Sequence, residues 1–287
     1  MNTDYRTNTF YGGDHTGVDL SQMFLTATWA RRIGQKQALG ISAIGAYQRF
    51  SAQGLQAFAA FSSDPDCLSN RKHASSSGLG VRIGYIAELT RGLSFGASYS
   101  PKVGMSRLNA YCGLFANDGR FDIPENLTVG LAWSPVKTLT FATDVQRVHY
   151  AGVSSVANPL LPNLASAQLG TAAGAGFGWR DMTTYKVGVR WEASPTLQLR
   201  AGYSYGKQPI PATEVLLNIL APGVVEQHFT LGLTHAVPNA PGRINLAVMY
   251  APSHSVAGPN PLEVPGQQSI RLSMHEWQTD LSYAFRF

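Results

Sequence analysis

A serine and a histidine, Ser273 and His275, stand two positions apart near the C-terminus. Residues i and i+2 of a strand share a face, so the hydroxyl and the imidazole could act together as nucleophile and base. Hydrolysis needs a third group that orients the base, and the sequence offers no obvious one. The alternative is an ordinary pair of polar residues on an exposed face. We favour this alternative, so the sequence predicts no enzyme.

The two cysteines, Cys67 and Cys112, are too few for a disulfide-dense scaffold, and their spacing matches no metal-binding motif. The chain has 22 basic and 17 acidic residues and a net charge of +5, but the basic residues are scattered. There is no Lys/Arg-rich run and no nucleic-acid motif. The sequence therefore predicts no nucleic-acid partner, no metal and no cofactor.

The composition combines few charges with many aromatic residues. Charged residues make up 14% of the 287 residues, against roughly 25% in a typical soluble domain. The mean hydropathy of −0.07 indicates that the apolar residues are not gathered into blocks. No run of about 18 apolar residues predicts a transmembrane helix. A barrel strand needs only every second residue apolar, so this composition is compatible with strands in a membrane.

The C-terminal residues alternate strictly between two faces. One face carries Thr279, Leu281, Tyr283, Phe285 and Phe287, and the other carries Gln278, Asp280, Ser282, Ala284 and Arg286. This period of two predicts a strand with an apolar and a polar face. Asp and Arg are rare in a soluble core, whereas a water-filled lumen accommodates both. The terminal Phe287 resembles the signal by which outer-membrane barrels reach the barrel-assembly machinery.

The same alternation recurs upstream, at 79–88, 127–133, 185–191 and 197–205. Aromatic residues collect near the ends of these stretches, as in an interfacial girdle. A tilted strand of about 10 residues spans about 25 Å, the height of the apolar band of such a barrel. The pattern therefore predicts an all-β fold, a transmembrane antiparallel β-barrel.

Short and long connections alternate along the chain. Short turns are predicted at 32–36, 90–92, 134–138, 193–196 and 236–242, and long loops at 54–76, 101–124, 151–183, 207–226 and 251–268. Periplasmic turns and extracellular loops are typical of outer-membrane barrels. A soluble β-sandwich or propeller is the alternative, and the charges inside the strands argue against it. We therefore predict a multi-pass protein in the outer membrane of a Gram-negative bacterium.

The strand count indicates that the barrel is incomplete. About 11 strands are predicted, the first near Met23–Arg31, whereas bacterial barrels have even numbers and both termini in the periplasm. Residues 1–21 would then lie outside the cell, and an open sheet edge is not viable in lipid. We therefore expect residues 1–287 to be the C-terminal part of a single barrel domain, a fragment whose first strands are missing.

Six motifs resemble the FadL-type outer-membrane transporters of long-chain fatty acids and other hydrophobic compounds. They are Gly206–Pro211, Asn218–Glu226, Met249–Ser253, Gly258–Pro261, Phe121–Asn126 and Gly174–Trp179. The resemblance extends over essentially the whole chain. It implies a 14-stranded barrel plugged by an N-terminal hatch, of which this chain lacks the hatch and the first strands.

The resemblance implies uptake of a long-chain fatty acid or a similar hydrophobic compound, which lands on an apolar extracellular groove, enters the lumen and leaves sideways through the wall. Alternatives are an aromatic-hydrocarbon channel of the same family, a general diffusion porin or adhesin, and a lipid hydrolase built on Ser273 and His275. Expected partners are the ligand, outer-membrane lipid and lipopolysaccharide. The chain is expected to be a monomer.

Apolar residues in two loops are candidates for the landing groove. Leu55, Phe58 and Phe61 would share one face of a short amphipathic helix. Exposed apolar surface is costly, which points to ligand binding, whereas packing on neighbouring loops as a cap is the alternative. A second apolar stretch, 215–220, is more readily interpreted as a helix folded onto the barrel rim.

A ligand carboxylate would favour arginine, which can bind it through two hydrogen bonds. By strand parity Arg82, Arg190 and Arg200 face the lumen, although each is more commonly part of a charge ladder along the wall. The resemblance adds Arg49 and Arg180, which lie where basic ligand-site residues occur in the family. Arg49 has outward parity, so it reaches the lumen only if a bulge intervenes.

Cys67 and Cys112 fall in two loops that are predicted on the same side of the barrel. The cell exterior permits disulfides. A bridge between the two cysteines and a pair of free thiols are both compatible with the sequence.

Overall fold

The protein is described by a computed structural model over residues 2–6, 11, 14–237, 242–263 and 268–285. These residues form one 12-stranded antiparallel sheet in which each strand pairs with the next along the chain. The strands are β1 (Asn2–Tyr5), β2 (Thr16–Ile33), β3 (Gln37–Gln53), β4 (Ala74–Thr90), β5 (Leu93–Ser100), β6 (Glu125–Val136), β7 (Leu139–His149), β8 (Met182–Glu192), β9 (Leu197–Gly206), β10 (Gln227–Ala236), β11 (Gly242–Pro259) and β12 (Ser269–Phe285). The predicted all-β antiparallel fold is confirmed. Within the described residues no pairing joins β12 to β1, so the sheet is not closed.

The connections alternate in length as expected. Tight turns follow β2, β4, β6 and β8 on one side of the sheet, and long loops follow β3, β5, β7 and β9 on the other. The loops carry only short helical segments, at Gln56–Phe61, Pro65–Cys67, Asn109–Tyr111, Ala116–Gly119, Tyr150–Gly152, Ser154–Ala157, Asn163–Ser166, Ala212–Glu214 and Leu217–Ile219. In the part of the chain that the structure describes, no helix is long and apolar enough to cross a membrane.

The two faces of the sheet differ as the alternation predicts. Trp133, Val187 and Leu231 are more than half exposed on the outer face. The opposite, inner face carries charged residues such as Asp144 and Lys186, which are cross-strand neighbours in β7 and β8. An apolar outer face and a polar inner face are the arrangement of a barrel wall in lipid.

The strands differ in height. Strands β2, β3, β4, β11 and β12 have 17 or 18 residues, whereas β5 to β10 have 8 to 12. Residues 74–82 of β4 and 251–259 of β11 continue on the loop side beyond the ends of β5 and β10. We call the long strands the tall strands. They make one part of the rim higher than the part formed by β5 to β10.

The tall strands correct two sequence predictions. The first long strand begins at Thr16 rather than near Met23, and β1 adds a short strand at its loop-side end. The segment 251–268 is not one long loop, because β11 continues to Pro259 after a bulge between Ala251 and His254. The expected contact of Phe287 with the barrel-assembly machinery lies outside the described residues.

The apolar face of β12 changes sides along the strand. Trp277, Leu281 and Tyr283 are exposed on the outer face, whereas Ile270 and Leu272, nearer the loops, are buried on the inner face. Below Trp277 the outer face would meet lipid, and above it the outer face meets water. The inner face above that level packs against the loops.

The loops and the inner faces of the tall strands enclose the main apolar core of the described residues. Its wall members are Val18, Phe50, Ala52, Ile270 and Leu272, and its loop members include Leu55, Phe58, Leu108, Tyr111, Phe115, Leu164, Val215, Leu216 and Leu220. We call this cluster the apolar cap. The core therefore lies at the loop end of the wall, above the membrane-facing band.

Candidate functional site

The first candidate loop is built into the apolar cap. Its 3₁₀ helix, Gln56–Phe61, turns Leu55 and Phe58 inward, where they are 1% and 4% exposed. Phe58 meets Tyr11 edge to face, with ring centroids 5.3 Å apart. Phe61, at the end of the helix, remains 38% exposed. This placement corrects the expectation of one open apolar face, because only Phe61 of the three offers free surface.

The second apolar stretch closes the cap from the opposite side. Val215, Leu216 and Leu220 are almost completely buried. Their loop is held by Asn218, whose amide donates to the carbonyl oxygens of Phe177 and Glu214 at 2.7 and 2.8 Å. These contacts agree with the interpretation of this stretch as a segment folded onto the rim.

The inner wall carries a strip of small residues below the cap. Gly84, Gly96 and Gly130 face inward on β4, β5 and β6, and together with neighbouring Ala132 and other residues they line a groove of about 500 Å³. The only carboxylate among the lining residues is that of Asp144. A β-carbon placed on Gly130 would lie 1.9 Å from Asp144 Oδ1, so the glycine leaves the space that this side chain occupies.

A second strip of the inner wall is cationic. Arg190 of β8 and Arg200 of β9 are directly opposite each other in the sheet register. Arg190 Nη2 donates to Thr140 Oγ1 at 3.2 Å, and Arg200 donates to the hydroxyl of Thr234. Arg190 also forms an ion pair with Glu192, whose Oε1 lies 3.7 Å from Arg190 Nε. Two guanidinium groups therefore share the lumen face with one acidic neighbour.

Of the two arginines suggested by family resemblance, Arg49 does not face the lumen and Arg180 lies in the loop before β8. Arg49 pairs with Ser21 and Ser75 in an uninterrupted register, so no bulge turns it inward, and it is exposed on the outer face. Arg180 is exposed just before β8, and its N–H donates to the carbonyl oxygen of Pro209 at 2.9 Å. Arg82 does have lumen parity, opposite Ser42.

Comparison of the sequence with profiles of known families identifies the family. A profile of the family described as outer membrane protein transport protein (OMPP1/FadL/TodX) matches residues 1–257. The chain belongs to this family. Its members are transport channels rather than enzymes, so the chain is an outer-membrane β-barrel transporter of hydrophobic compounds in a Gram-negative bacterium. No curated protein matches the chain in a sequence search.

Solved structures of family members share the fold. The toluene transporter TodX of Pseudomonas putida is 18% identical and has a TM-score of 0.68, covering 100% of this chain and 76% of its own. A FadL homologue of Pseudomonas aeruginosa is 14% identical, with a TM-score of 0.64 and coverage of 99% and 71%. The toluene transporter TbuX of Ralstonia pickettii is 16% identical, with a TM-score of 0.63 and coverage of 100% and 75%.

The serine and histidine considered for hydrolysis share the outer face of β12. Polar residues are ordinary on such a surface. Ser273 and His275 are both exposed, and Ser273 Oγ lies 3.4 Å from Ser253 Oγ. Within the described part of the chain no carboxylate bonds to His275, so the group that would orient a catalytic base is missing there.

The two cysteines lie side by side across their loops. Their sulfurs and a carboxylate oxygen of Asp64 are all within 4.8 Å of one another. Cys112 Sγ donates to Asp64 Oδ2 at 3.5 Å, and both sulfurs are present as free thiols. Burial, followed by the neighbouring Cys67 and Asp64, raises the pKa of the Cys112 thiol to about 12. The bridge between the two cysteines stays a prediction.

Proposed function

We propose that this chain takes up long-chain fatty acids across the outer membrane. The supporting observation is that the lumen wall has two chemically different strips. Glycine and alanine line the groove at Gly84, Gly96 and Gly130, whereas Arg190 and Arg200 form a cationic strip on β8 and β9. A fatty acid has the same two parts, so its tail would lie along the first strip and its carboxylate at the second.

The small residues suit an extended hydrocarbon tail because they leave room against the backbone. Moving apolar area out of water contributes about 25 cal/mol per Å². The carboxylate would meet two arginines that repel each other, since like charges directly opposite in a sheet are destabilising. An anion between them relieves that repulsion and accepts charge-assisted hydrogen bonds.

Capture begins at the apolar cap in this proposal. Phe61 is the exposed aromatic at its edge, and Leu55 and Phe58 hold the helix that presents it. Arg49 faces outward and Arg180 borders a cleft at the rim, so we assign neither a contact with a ligand inside the barrel. Passage from the cap to the lumen requires the buried loops to part, which makes the cap a gate as well as a landing surface.

Uptake of neutral aromatic hydrocarbons is the second candidate. It is favoured by Asp144, whose carboxylate lines the groove of small residues. A negative charge in that groove repels an acid more than a neutral ring. The TodX and TbuX structures, which are those of toluene transporters, are in keeping with this alternative.

The test is ligand displacement on the purified chain in detergent. Replacing Arg190 and Arg200 together by Ala should weaken oleate binding about tenfold, equivalent to about 1.4 kcal/mol. Binding of methyl oleate should be unchanged, because the ester has no charge. The control removes two cations from the turn side, Arg91→Ala with Lys137→Ala, and should affect neither ligand.

The outcomes separate the candidates. Binding of toluene without binding of oleate would favour the hydrocarbon channel. Binding of neither ligand by the correctly folded wild type would contradict the uptake of hydrophobic ligands through a binding site.

A further inference from the structure

A cleft of about 680 Å³ lies at the rim of the wall, at the loop-side ends of β8 and β9. Tyr185 and Tyr205, direct neighbours in the sheet, form its membrane side. Ile210 of the loop 207–226 and Val256 of β11 supply apolar lining from the side of the apolar cap. The cleft arises because β11 continues above the short β10 and leaves a step that the loop only partly fills.

Two cations border this cleft, Arg180 from the segment before β8 and Lys207 from the segment after β9. Both are exposed. Over the ranges that the structure describes, neither side chain makes a hydrogen bond or an ion pair. Two positive charges therefore lie in one cleft without a protein partner.

The neighbouring carboxylate, Asp181, is already engaged. Its Oδ2 lies 3.0 Å from Arg147 Nη2 and 2.8 Å from His149 Nδ1, and its Oδ1 accepts from the N–H of Ala151 at 3.0 Å. Partial burial raises the pKa of Asp181, but these hydrogen bonds outweigh burial and hold the pKa below its ordinary value. The charge of Asp181 is satisfied by these partners rather than by Arg180 or Lys207.

The order of residues along the outer face indicates the depth of the cleft. Tyr185 and Tyr205 are exposed outward at the loop-side ends of their strands, where barrels place their interfacial aromatics. Lys207 follows Tyr205 by two positions and therefore lies one step farther from the apolar band. Aromatic rings followed by cations correspond to the membrane interface followed by the level of the lipid headgroups.

We propose that this cleft binds a phosphate group of lipopolysaccharide in the outer leaflet. Arginine presents a planar fork that matches phosphate, and lysine adds a second positive charge. The acyl chains would descend along the outer face past the two tyrosines. The strand residues of the cleft, Tyr185 and Tyr205, face the lipid side of the wall, which is why we assign the cleft to a membrane lipid rather than to a transported ligand.

Such a lipid would connect two loops at the place where they meet. Arg180 ends the loop 150–181 and Lys207 begins the loop 207–226, and both loops contribute to the apolar cap. A phosphate shared by the two cations would hold these loops together from outside the barrel. This role is additional to the proposed uptake of hydrophobic compounds.

The experiment measures lipid binding to the purified chain in detergent by native mass spectrometry. The probes are bisphosphorylated lipid A, the same lipid after dephosphorylation, and inorganic phosphate. The variant Arg180→Ala with Lys207→Ala should bind bisphosphorylated lipid A about tenfold more weakly than the wild type. The control variant, Arg91→Ala with Lys137→Ala, loses the same charge on the turn side and should bind it normally.

Three results with the lipid probes would overturn the proposal, and a fourth concerns inorganic phosphate. They are equal lipid A affinity in wild type and variant, equal affinity of the wild type for phosphorylated and dephosphorylated lipid, and equal weakening in both variants. Inorganic phosphate should bind far more weakly than the lipid; an equal affinity for both would also overturn the assignment to a lipid.

Oleate displacement on the same variants separates this proposal from that of uptake. Arg180→Ala with Lys207→Ala should leave oleate binding unchanged. If oleate binding falls while lipid A binding does not, Arg180 belongs to the ligand path and the lipid site is wrong. If wild type binds no hydrophobic ligand but shows the lipid A effect, the uptake proposal fails and the lipid site stands.

Discussion

Arg190 and Arg200 lie directly opposite each other on the lumen face, because the tight connection 193–196 fixes the register between β8 and β9. Strand parity in the sequence already predicted this face for both residues. Arg180 and Lys207 are different, because they lie in separate connections and meet only through the folding of two loops. No local pattern encodes such a meeting, so their common cleft could not be predicted.

The cysteine pair gives a prediction at the residue scale. Since the sulfurs of Cys67 and Cys112 are within 4.8 Å and the extracellular side is oxidising, we expect a disulfide in protein isolated without reductant. Tryptic peptides analysed by non-reducing mass spectrometry should contain the cross-linked pair. Slow alkylation of Cys112 alone would not be informative, because its thiol pKa is about 12. Intact mass showing both thiols reduced in freshly isolated protein would contradict the bridge.

The strands differ in how well their boundaries and faces can be predicted from the sequence. Strands β6, β8 and β9 alternate cleanly, because one face meets lipid and the other meets the lumen along their whole length. The upper part of β12 was predicted as strand, but its apolar face changes sides above Trp277, where Ile270 and Leu272 face inward. The upper part of β11 was missed because Pro252, with later Gly and Pro residues, is typical of a loop.

The first cap helix was predicted, but its partners were not. The spacing of Leu55, Phe58 and Phe61 indicated a helical segment, and the structure places one at Gln56–Phe61. Which of the three residues is buried depends on Tyr11 and on loops far along the chain. The sequence could therefore identify the apolar face but not whether it is open to ligand.

A matched pair of substitutions separates the two functions of this helix. Phe58→Ala removes a ring that is 4% exposed, and we expect it to destabilise the cap by about 3–5 kcal/mol. Phe61→Ala removes an exposed ring and should cost far less stability while weakening oleate capture. Limited proteolysis of the loops in detergent measures cap opening, and ligand displacement measures capture. If both variants are cleaved at the same rate, the assignment of Phe58 to the cap is wrong.

At the scale of the whole molecule, the two faces of the wall should respond differently to charge. Leu131 is exposed outward on β6, so Leu131→Arg should destabilise the membrane-inserted fold by about 2–4 kcal/mol if the site is near the bilayer midplane. Gln198 faces the lumen of β9 and already bonds to Glu192 Oε1 at 2.6 Å. Gln198→Arg should therefore cost much less.

Folding titrations into lipid vesicles provide the measurement for this pair. Each variant is unfolded and refolded with denaturant in the same vesicles, and the free energies of unfolding are compared. A protein whose two faces were equivalent would give equal costs for Leu131→Arg and Gln198→Arg. That result would contradict the inside–outside assignment. The two lumen strips and the cleft at the loop-side ends of β8 and β9 both depend on this assignment.

The unequal strand heights make the two sides of the barrel mouth different for an arriving ligand. Residues 74–82 of β4 and 251–259 of β11 continue past their neighbours, and at about 3.3 Å per residue each extension is about 30 Å long. These extensions form a higher wall between one side of the mouth and the surrounding lipopolysaccharide. The side formed by β5 to β10 is low and is covered only by loops. We therefore expect a hydrophobic ligand from the medium to approach the mouth over the low side formed by β5 to β10. The lengths of the strands alone would then set the side of approach, before the ligand contacts any side chain.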